Sequence, residues 1–319
     1  MTETASLFDT GGYNYDDVEP LPISDDQSDG LCQILYDDEY RQVMGIARAL
    51  FKNQEVSDRA LHATAETIEL VPAFYTMWNY RFQIVKQLFG TDEAKLNAEL
   101  DWLDEFTLNN PKNYQIWSYR QALLGIHPNP GFLRELPILQ SMIDDDTKNY
   151  HVWSYRRWCV NFFQGFEHEL PFASALISRD VYNNSAWCHR MFVLKSQFKS
   201  RPPADLITTE LHYTKAKIEL APQNISSWNY LRGLYSEYLE NTFDPEIIAF
   251  ARSFVADVFE LPQTPPQILS SYALEMLAYI YSQDLETFAK ARCAYKALAN
   301  TYDPIRKNFW DFKIRSLKA

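Results

Sequence analysis

The sequence predicts an all-α fold, an α-α superhelix of about seven helical hairpins after a leading helix. Two observations carry that expectation. One pattern, Pro-x-x-Tyr-x-x-Trp-x-Tyr-Arg, recurs along most of the chain, and five of its tryptophans follow one another at steps of 34 to 41 residues. No stretch alternates polar and apolar residues over a strand's length, and glycine is scarce, with only 9 in 319 residues. A repeat of roughly 20–50 residues is the mark of stacked supersecondary units. Such a stack is one continuous body rather than a set of separate globules. The expected organisation is a flexible acidic tail over 1–33 and a single helical-repeat domain over 34–319.

The tail carries Asp9, Asp16, Asp17, Glu19, Asp25, Asp26 and Asp29 among scattered aromatics. It buries too little to offset the entropy of ordering, and Tyr13 and Tyr15 are its candidate anchors. A leading helix is expected over 34–52, where Tyr40, Val43, Met44, Ala47, Leu50 and Phe51 keep helical spacing. Asp37, Asp38 and Glu39 load its first turn with acid, as the helix dipole favours. Helices then pair. First members are expected at 58–70, 92–108, 130–144, 167–180, 203–220, 245–260 and 284–299. Second members are expected at 74–89, 113–126, 149–164, 185–199, 225–240, 266–282 and 304–317. Proline-containing linkers such as 127–130 and 201–203 punctuate them.

Each second helix opens on a copy of the pattern. The clearest are Pro72-x-x-Tyr75-x-x-Trp78-x-Tyr80-Arg81 and Pro111-x-x-Tyr114-x-x-Trp117-x-Tyr119-Arg120. The third, Tyr150-x-x-Trp153-x-Tyr155-Arg156, has Thr147 in the proline place. Weaker copies are Trp187-x-His189-Arg190, with Asn184 in the tyrosine slot, Trp228-x-Tyr230 with the arginine slipped to Arg232, and Trp310-x-Phe312-Lys313. The gap from Trp228 to Trp310 is twice a period, so one copy near Tyr272 lacks its tryptophan. Proline suits the first turn of a helix, where its missing N–H costs nothing. Tyr114, Trp117 and Leu124 share one stripe, and burying a ring as large as tryptophan's stabilises by roughly 2–3 kcal/mol or more. The motif arginine is free to cap carbonyls or pair with an acid on the adjacent helix.

Composition excludes several classes. The formal net charge is −12, against a nucleic-acid backbone binder. The scarcity of glycine argues against glycine-cradled phosphate loops. No basic leader with an apolar core and no membrane-length apolar run is present, so a soluble cytoplasmic chain, binding no membrane, is expected. Cys32, Cys159, Cys188 and Cys293 lack metal-type spacing and are expected as buried free thiols. His62, His127, His168 and His212 have neither each other nor cysteine nearby in sequence, so no metal site of this chain is expected. Asp144-Asp145-Asp146 is a metal candidate, but it sits ahead of a helix, where acids are favoured anyway.

If the second helices stack in parallel, Lys112, Tyr114, Gln115, Tyr150 and His151 gather on one rim of helix starts. A lysine, two phenols and a histidine there suit a phosphate or carboxylate. Spacing alone favours the plainer reading, a solvated lysine and ordinary packing tyrosines.

The repeat, with its near-continuous NPKNYQIWSYR and TKNYHVWSYRRW, resembles that of protein prenyltransferase α subunits over about 34–319. The opening ILYDDEYRQVMGIARAL and the closing DPIRKNFWDFKIRSL resemble the subunit shared by protein farnesyltransferase and geranylgeranyltransferase type I. The resemblance implies a right-handed crescent wrapped around a β subunit that carries zinc and most of the isoprenoid pocket. It implies transfer of farnesyl or geranylgeranyl from its diphosphate to the cysteine of a CaaX box, on proteins such as Ras- and Rho-type GTPases, with magnesium at the diphosphate in farnesyl transfer. It places Lys112, Tyr114, Tyr150 and His151 at the diphosphate, Gln115 and Tyr75 at the end of the peptide, and Asn149, Arg120 and Trp153 in support of the rim, with Asn149 among the substrate-binding set. Trp78, Trp117, Arg120, Trp153, Trp187 and Trp228 form the structural repeat. The alternatives are the α subunit of Rab geranylgeranyltransferase and a tetratricopeptide-like scaffold without catalysis. Against the first stand the opening segment and the lack of a histidine before His62. The variable period stands against the second.

Overall fold

The computed structural model describes residues 9–23, 34–198, 201–260 and 264–317. The expected tail's residues 1–8 and 24–33, Cys32 among them, lie outside the described residues. Among those described, the secondary structure is helical throughout, and no helix is long and apolar enough to cross a membrane. The fold class is all-α, of the α-α superhelix kind. A leading helix, α1 (Asp38–Lys52), is followed by seven pairs. These are α2 (Asp58–Leu70) with α3 (Tyr75–Leu88), α4 (Glu93–Asn109) with α5 (Tyr114–Ile126), and α6 (Phe132–Asp145) with α7 (Tyr150–Phe163). Next come α8 (Glu169–Arg179) with α9 (Asn184–Gln197), and α10 (Ala204–Leu220) with α11 (Ile225–Tyr238). Last are α12 (Pro245–Arg252) with α13 (Ser271–Tyr281), and α14 (Phe288–Ala297) with α15 (Lys307–Ser316).

The chain divides into two compact units, Met1–Arg156 and Arg157–Ala319. In the first, α1 packs on α2, α2 on α3, and the second helices α3 and α5 pack on each other. In the second unit, α9, α11 and α13 pack in the same succession.

The starts of α5, α7 and α11 are each stitched by an asparagine. Asn113, Asn149 and Asn224 are N-caps, accepting from the amides of Gln115 (2.8 Å), His151 (3.0 Å) and Ser226 (3.1 Å). This satisfies donors that a helix start leaves unpaired. The same asparagines donate their side-chain N–H to a carbonyl one repeat earlier: Asn113 to Pro72 (2.5 Å), Asn149 to Pro111 (2.9 Å) and Asn224 to Val181 (2.6 Å). The tryptophan uses that carbonyl too. The indole N–H of Trp78, Trp153, Trp187 and Trp228 donates to the oxygen six residues upstream, on Pro72, Thr147, Val181 and Pro222. The proline slot therefore tolerates Thr147 and Val181, because its carbonyl is what the repeat uses. Trp117 is the exception: it is buried and its indole N–H has no hydrogen-bond acceptor among the described residues.

The Tyr-Arg of the motif closes on a buried glutamate. In the first unit Glu99 on α4 accepts from Arg81 on α3 (2.6 and 2.8 Å) and from the Tyr119 hydroxyl on α5 (2.5 Å). Glu135 on α6 likewise accepts from Arg120 on α5 (2.5 Å) and Tyr155 on α7 (2.7 Å). In the second unit Glu210 serves Arg190 (2.6 Å) and Tyr230 (2.6 Å), and Glu169 meets the ring of His189 (2.6 Å). Each glutamate lies 20 residues before the tyrosine-slot residue it binds. Three residues after Glu99 and Glu210, Trp102 and Tyr213 lie flat against the same arginines, at 3.9 and 4.1 Å. Burial pushes the Tyr119 and Tyr230 hydroxyls well above their ordinary range, and the glutamate charge pushes them further, so both remain donors. Burial works against the charge of Arg81, but Glu99 outweighs it and keeps the guanidinium protonated.

Several expectations need correction. The arginine slot of the fifth copy is filled by buried Leu231; Arg232 is half-exposed, donates to the Asn229 side-chain oxygen (3.0 Å) and pairs loosely with Glu275, at 3.6 Å. The missing tryptophan is replaced by Leu274, four residues after the Ser270 cap and fully buried, whereas Tyr272 lies outside that slot. Phe312 is exposed rather than a packing tyrosine-equivalent, and the Trp310 indole donates to Asp303 (2.9 Å). Tyr114 faces outward although Trp117 and Leu124 on the same helix are buried. Cys159 is buried as expected, but Cys188 is exposed. The helix expected over 245–260 stops at Arg252, and the one expected from 266 starts at Ser271, where the Ser270 hydroxyl accepts from the Ala273 amide and caps the later start. The leading helix begins at Asp38, capped by Asp37.

Candidate functional site

The repeat puts a different kind of residue at the first position of each second helix in the first unit. Tyr75, Tyr114 and Tyr150 open α3, α5 and α7 and are 65, 60 and 76% exposed. Three residues further on, Trp78, Trp117 and Trp153 are buried. One turn of helix thus separates scaffold from rim.

Between α3 and α5 lies a cleft of about 210 Å³. Tyr75 and Tyr114 stand at its mouth, Gln115 and Asn79 on its walls, and Trp78, Phe82 and Tyr119 below. The Tyr119 ring is wedged between Trp78 and Phe82, with centroids at 5.2 and 6.3 Å. Its hydroxyl is held by Glu99 from the helix behind, so the floor cannot turn without breaking a buried charge-assisted bond. Gln115 is buried, and its amide nitrogen donates to Ala73 O (2.9 Å). An amide has two N–H groups and a carbonyl, so one donor and the acceptor remain for a ligand.

Next to the cleft is a ring cluster. The Tyr114 and His151 rings lie 6.5 Å apart and nearly parallel, and Tyr150 meets His151 edge-on at 5.7 Å. Lys112 stands in the turn before α5, two residues ahead of Tyr114; it is exposed, and no acid among the described residues pairs with it. An exposed ammonium in the turn before α5, together with the amide-rich starts of α5 and α7, favours an anion. Asn149, expected at the substrate, is buried, and both ends of its amide are used within the chain. Arg120 and the tryptophans Trp78, Trp117, Trp153, Trp187 and Trp228 are all buried in the scaffold. Asp144 accepts from Gln140 and Asp146 from the Lys148 amide. Among the described residues no three of His, Cys, Asp or Glu gather in a way that would hold a metal ion.

Sequence reading overlooked the buried glutamates and the cleft residues Asn79, Phe82 and Ser118. For the glutamates a signal existed in the constant 20-residue offset from the tyrosine slot. Asn79 and Ser118 each follow a motif tryptophan by one position, which turns them toward the neighbouring second helix.

Fold and site together define an α-α hairpin-repeat protein with one chemically distinct rim. The family described as "Protein prenyltransferase alpha subunit repeat" matches residues 57–88, 96–126, 132–163, 166–197 and 207–238, one hairpin each. The chain is 45% identical over 314 residues to "Protein farnesyltransferase/geranylgeranyltransferase type-1 subunit alpha" of Candida albicans, spanning 96% of this chain and 98% of that one. To the Dictyostelium discoideum subunit of the same name it is 31% identical, over 95% of this chain and 92% of that one. It is similar to a solved structure, "Candida albicans protein geranylgeranyltransferase-I complexed with GGPP", with a TM-score of 0.85, 41% identity, and coverage of 96% of this chain and 99% of that one. The chain belongs to the protein prenyltransferase α-subunit family, on the branch shared by farnesyltransferase and geranylgeranyltransferase type 1.

Proposed function

We propose that this chain is the α subunit of a heterodimeric protein prenyltransferase, which moves farnesyl or geranylgeranyl from its diphosphate to the cysteine of a C-terminal CaaX box. Family membership supports the reaction class. The single observation that carries the site is Lys112, exposed and unpaired, two residues from a phenol whose ring lies beside His151.

On this reading zinc would be held by the β subunit, where it would favour the thiolate form of the acceptor peptide's cysteine, and magnesium would accompany the diphosphate in farnesyl transfer. This chain's residues work on the leaving group. As the thiolate sulfur bonds to C1 of the isoprenoid, the C1–O bond breaks and its electron pair leaves with the diphosphate. Negative charge grows on the departing oxygens. The Lys112 ammonium and the hydroxyls of Tyr114 and Tyr150 meet that charge, with His151 holding the two rings in place. Interactions that strengthen as charge develops lower the barrier rather than merely tightening binding. Gln115 and Tyr75, on the cleft wall and at its mouth, are assigned to the end of the acceptor peptide, and Asn149 supports the rim by capping α7 and holding Pro111 O in the turn before α5.

Co-expression with each candidate β chain, followed by farnesyl and geranylgeranyl transfer assays, tests the reading; no transfer with any β chain would sink it. Lys112→Ala in the active heterodimer is expected to slow single-turnover transfer by about 100-fold or more, with a much smaller change in isoprenoid diphosphate affinity. A single-turnover rate within twofold of the parent removes Lys112 from the mechanism.

A further inference from the structure

The glutamate shared by neighbouring repeats has no counterpart at the first hairpin. Twenty residues before Tyr80 stands Ala60, and the described chain ahead of α2 contains no Trp-x-Tyr-Arg copy to donate an arginine. Tyr80 is nevertheless satisfied: its hydroxyl donates to Glu55 O at 2.6 Å. The Glu55 carboxylate accepts in turn from Arg59 (2.7 and 2.9 Å) and from the Ser57 hydroxyl (2.6 Å). The rest of the Arg59 guanidinium is taken by the segment before α1, through both oxygens of Asp17 (2.5 and 3.0 Å) and the carbonyl of Asn14 (3.0 Å).

That segment is fastened along its length. Tyr15 is buried and its hydroxyl donates to Arg59 O at 2.7 Å. The ring of His62 meets Asp9 O at 2.8 Å, and Gly11 lies so close over that ring that a Cβ would sit 2.7 Å from it. Further on, Leu21 N donates to Gly45 O (3.0 Å), and Arg48 donates to Pro22 O (3.2 Å). Helix α1 is shaped for this contact. Val43, Ile46, Ala47 and Leu50 are buried on one side, yet Gly45 and Ala49 are buried on the other. A Cβ on Gly45 would stand 2.8 Å from the Pro20 Cβ.

We propose that residues 9–22 form a capping strap that gives the first hairpin what a preceding repeat gives each interior one. Arg59 takes the part of the motif arginine, Glu55 that of the shared glutamate, and Asp17 closes the guanidinium. Terminal units of a repeat stack need such an ending, since their outer face has no neighbour. Because Tyr80 lies on α3, the strap also steadies the helix that carries Tyr75 and Trp78.

The test is hydrogen exchange by mass spectrometry, with thermal unfolding, on the full-length chain and on Gly45→Leu. Replacing an ordinary helix-interior glycine by leucine stabilises the helix. Here the side chain must displace Pro20, so the melting temperature is expected to fall by several degrees. Amides of 9–22, of the 53–57 turn and of the first turn of α2 are expected to exchange about tenfold faster, while those of α10 and α11 do not change. A raised melting temperature or unchanged exchange overturns the proposal. Tyr15→Phe and Asp17→Asn, which leave the helices untouched, are expected to give the same exchange pattern at smaller amplitude, and no change in either also overturns it.

Discussion

Removing one shared glutamate should be far worse than removing its whole charge pair. Glu135 and Arg120 are both fully buried, and Glu135 receives Arg120 and Tyr155 together. Glu135→Ala strands a guanidinium in the interior. Breaking a buried pair from one side costs about 3–5 kcal/mol. Asp104, partly exposed, still touches Arg120, which places this contribution near the lower bound. The orphaned Tyr155 hydroxyl adds about 1 kcal/mol or more. A total of about 4 kcal/mol corresponds to roughly 8–16 °C in the melting of a unit this size. Tyr155→Phe leaves the ion pair intact and should cost about 1.5–2 kcal/mol, the value of a bond to a charged acceptor. The double replacement Arg120→Met with Glu135→Leu removes both charges and fills their space, so it should be much milder than Glu135→Ala. The assay is calorimetry of the four proteins, with exchange protection of α5–α7 as a local readout. A shift under 2 °C for Glu135→Ala would refute the relay. So would a double variant as unstable as Glu135→Ala.

Three further outcomes follow from the repeat geometry. Asn149→Ala should cost about 1–2 kcal/mol through loss of the α7 cap and the stitch to Pro111, while Asn149→Asp should recover the cap alone; thermal melts of the pair separate the two bonds. Restoring the repeat's tryptophan by Leu274→Trp should destabilise by about 1–3 kcal/mol, because the slot is already filled; a higher melting temperature would mean that the C-terminal unit has room for the ring. Arg232→Ala should stay within about 0.5 kcal/mol, as expected of a half-exposed pair, and a larger loss by the same melts would restore it to the motif.

Most of the helical frame was legible in the sequence, since the tryptophan slot imposes its own period. The weaker copies were less so. An arginine one place out of register looks like a slipped partner in a string of letters, but one residue on a helix is a rotation of 100°, enough to turn Arg232 outward and put Leu231 in its place. The glutamates of α4, α6, α8 and α10 escaped notice for the opposite reason. Helices α4, α6 and α10 carry several acids each, and Glu169 opens α8, where an acid is favoured anyway; nothing in the local pattern marks which acid points inward, and only the partner 20 residues away does. The rim was readable in part. Exposure of Tyr75, Tyr114 and Tyr150 could not be told from packing, because the same residue type fills both the outer slot and the buried slot five residues later.

The shared glutamate also bears on how such a chain can be shortened, lengthened or recombined. Cut between α3 and α4, α5 and α6, or α9 and α10, and an arginine is parted from its acid. Cut between α4 and α5, α6 and α7, or α10 and α11, and the acid is parted from the next tyrosine. Neither boundary yields a self-sufficient piece. A graft between relatives would have to carry across the junction a matched trio of arginine, glutamate and tyrosine drawn from three successive helices. The unit that can be exchanged is therefore an overlapping frame longer than the visible repeat, and swaps made on hairpin boundaries alone should fail even when every individual hairpin is sound.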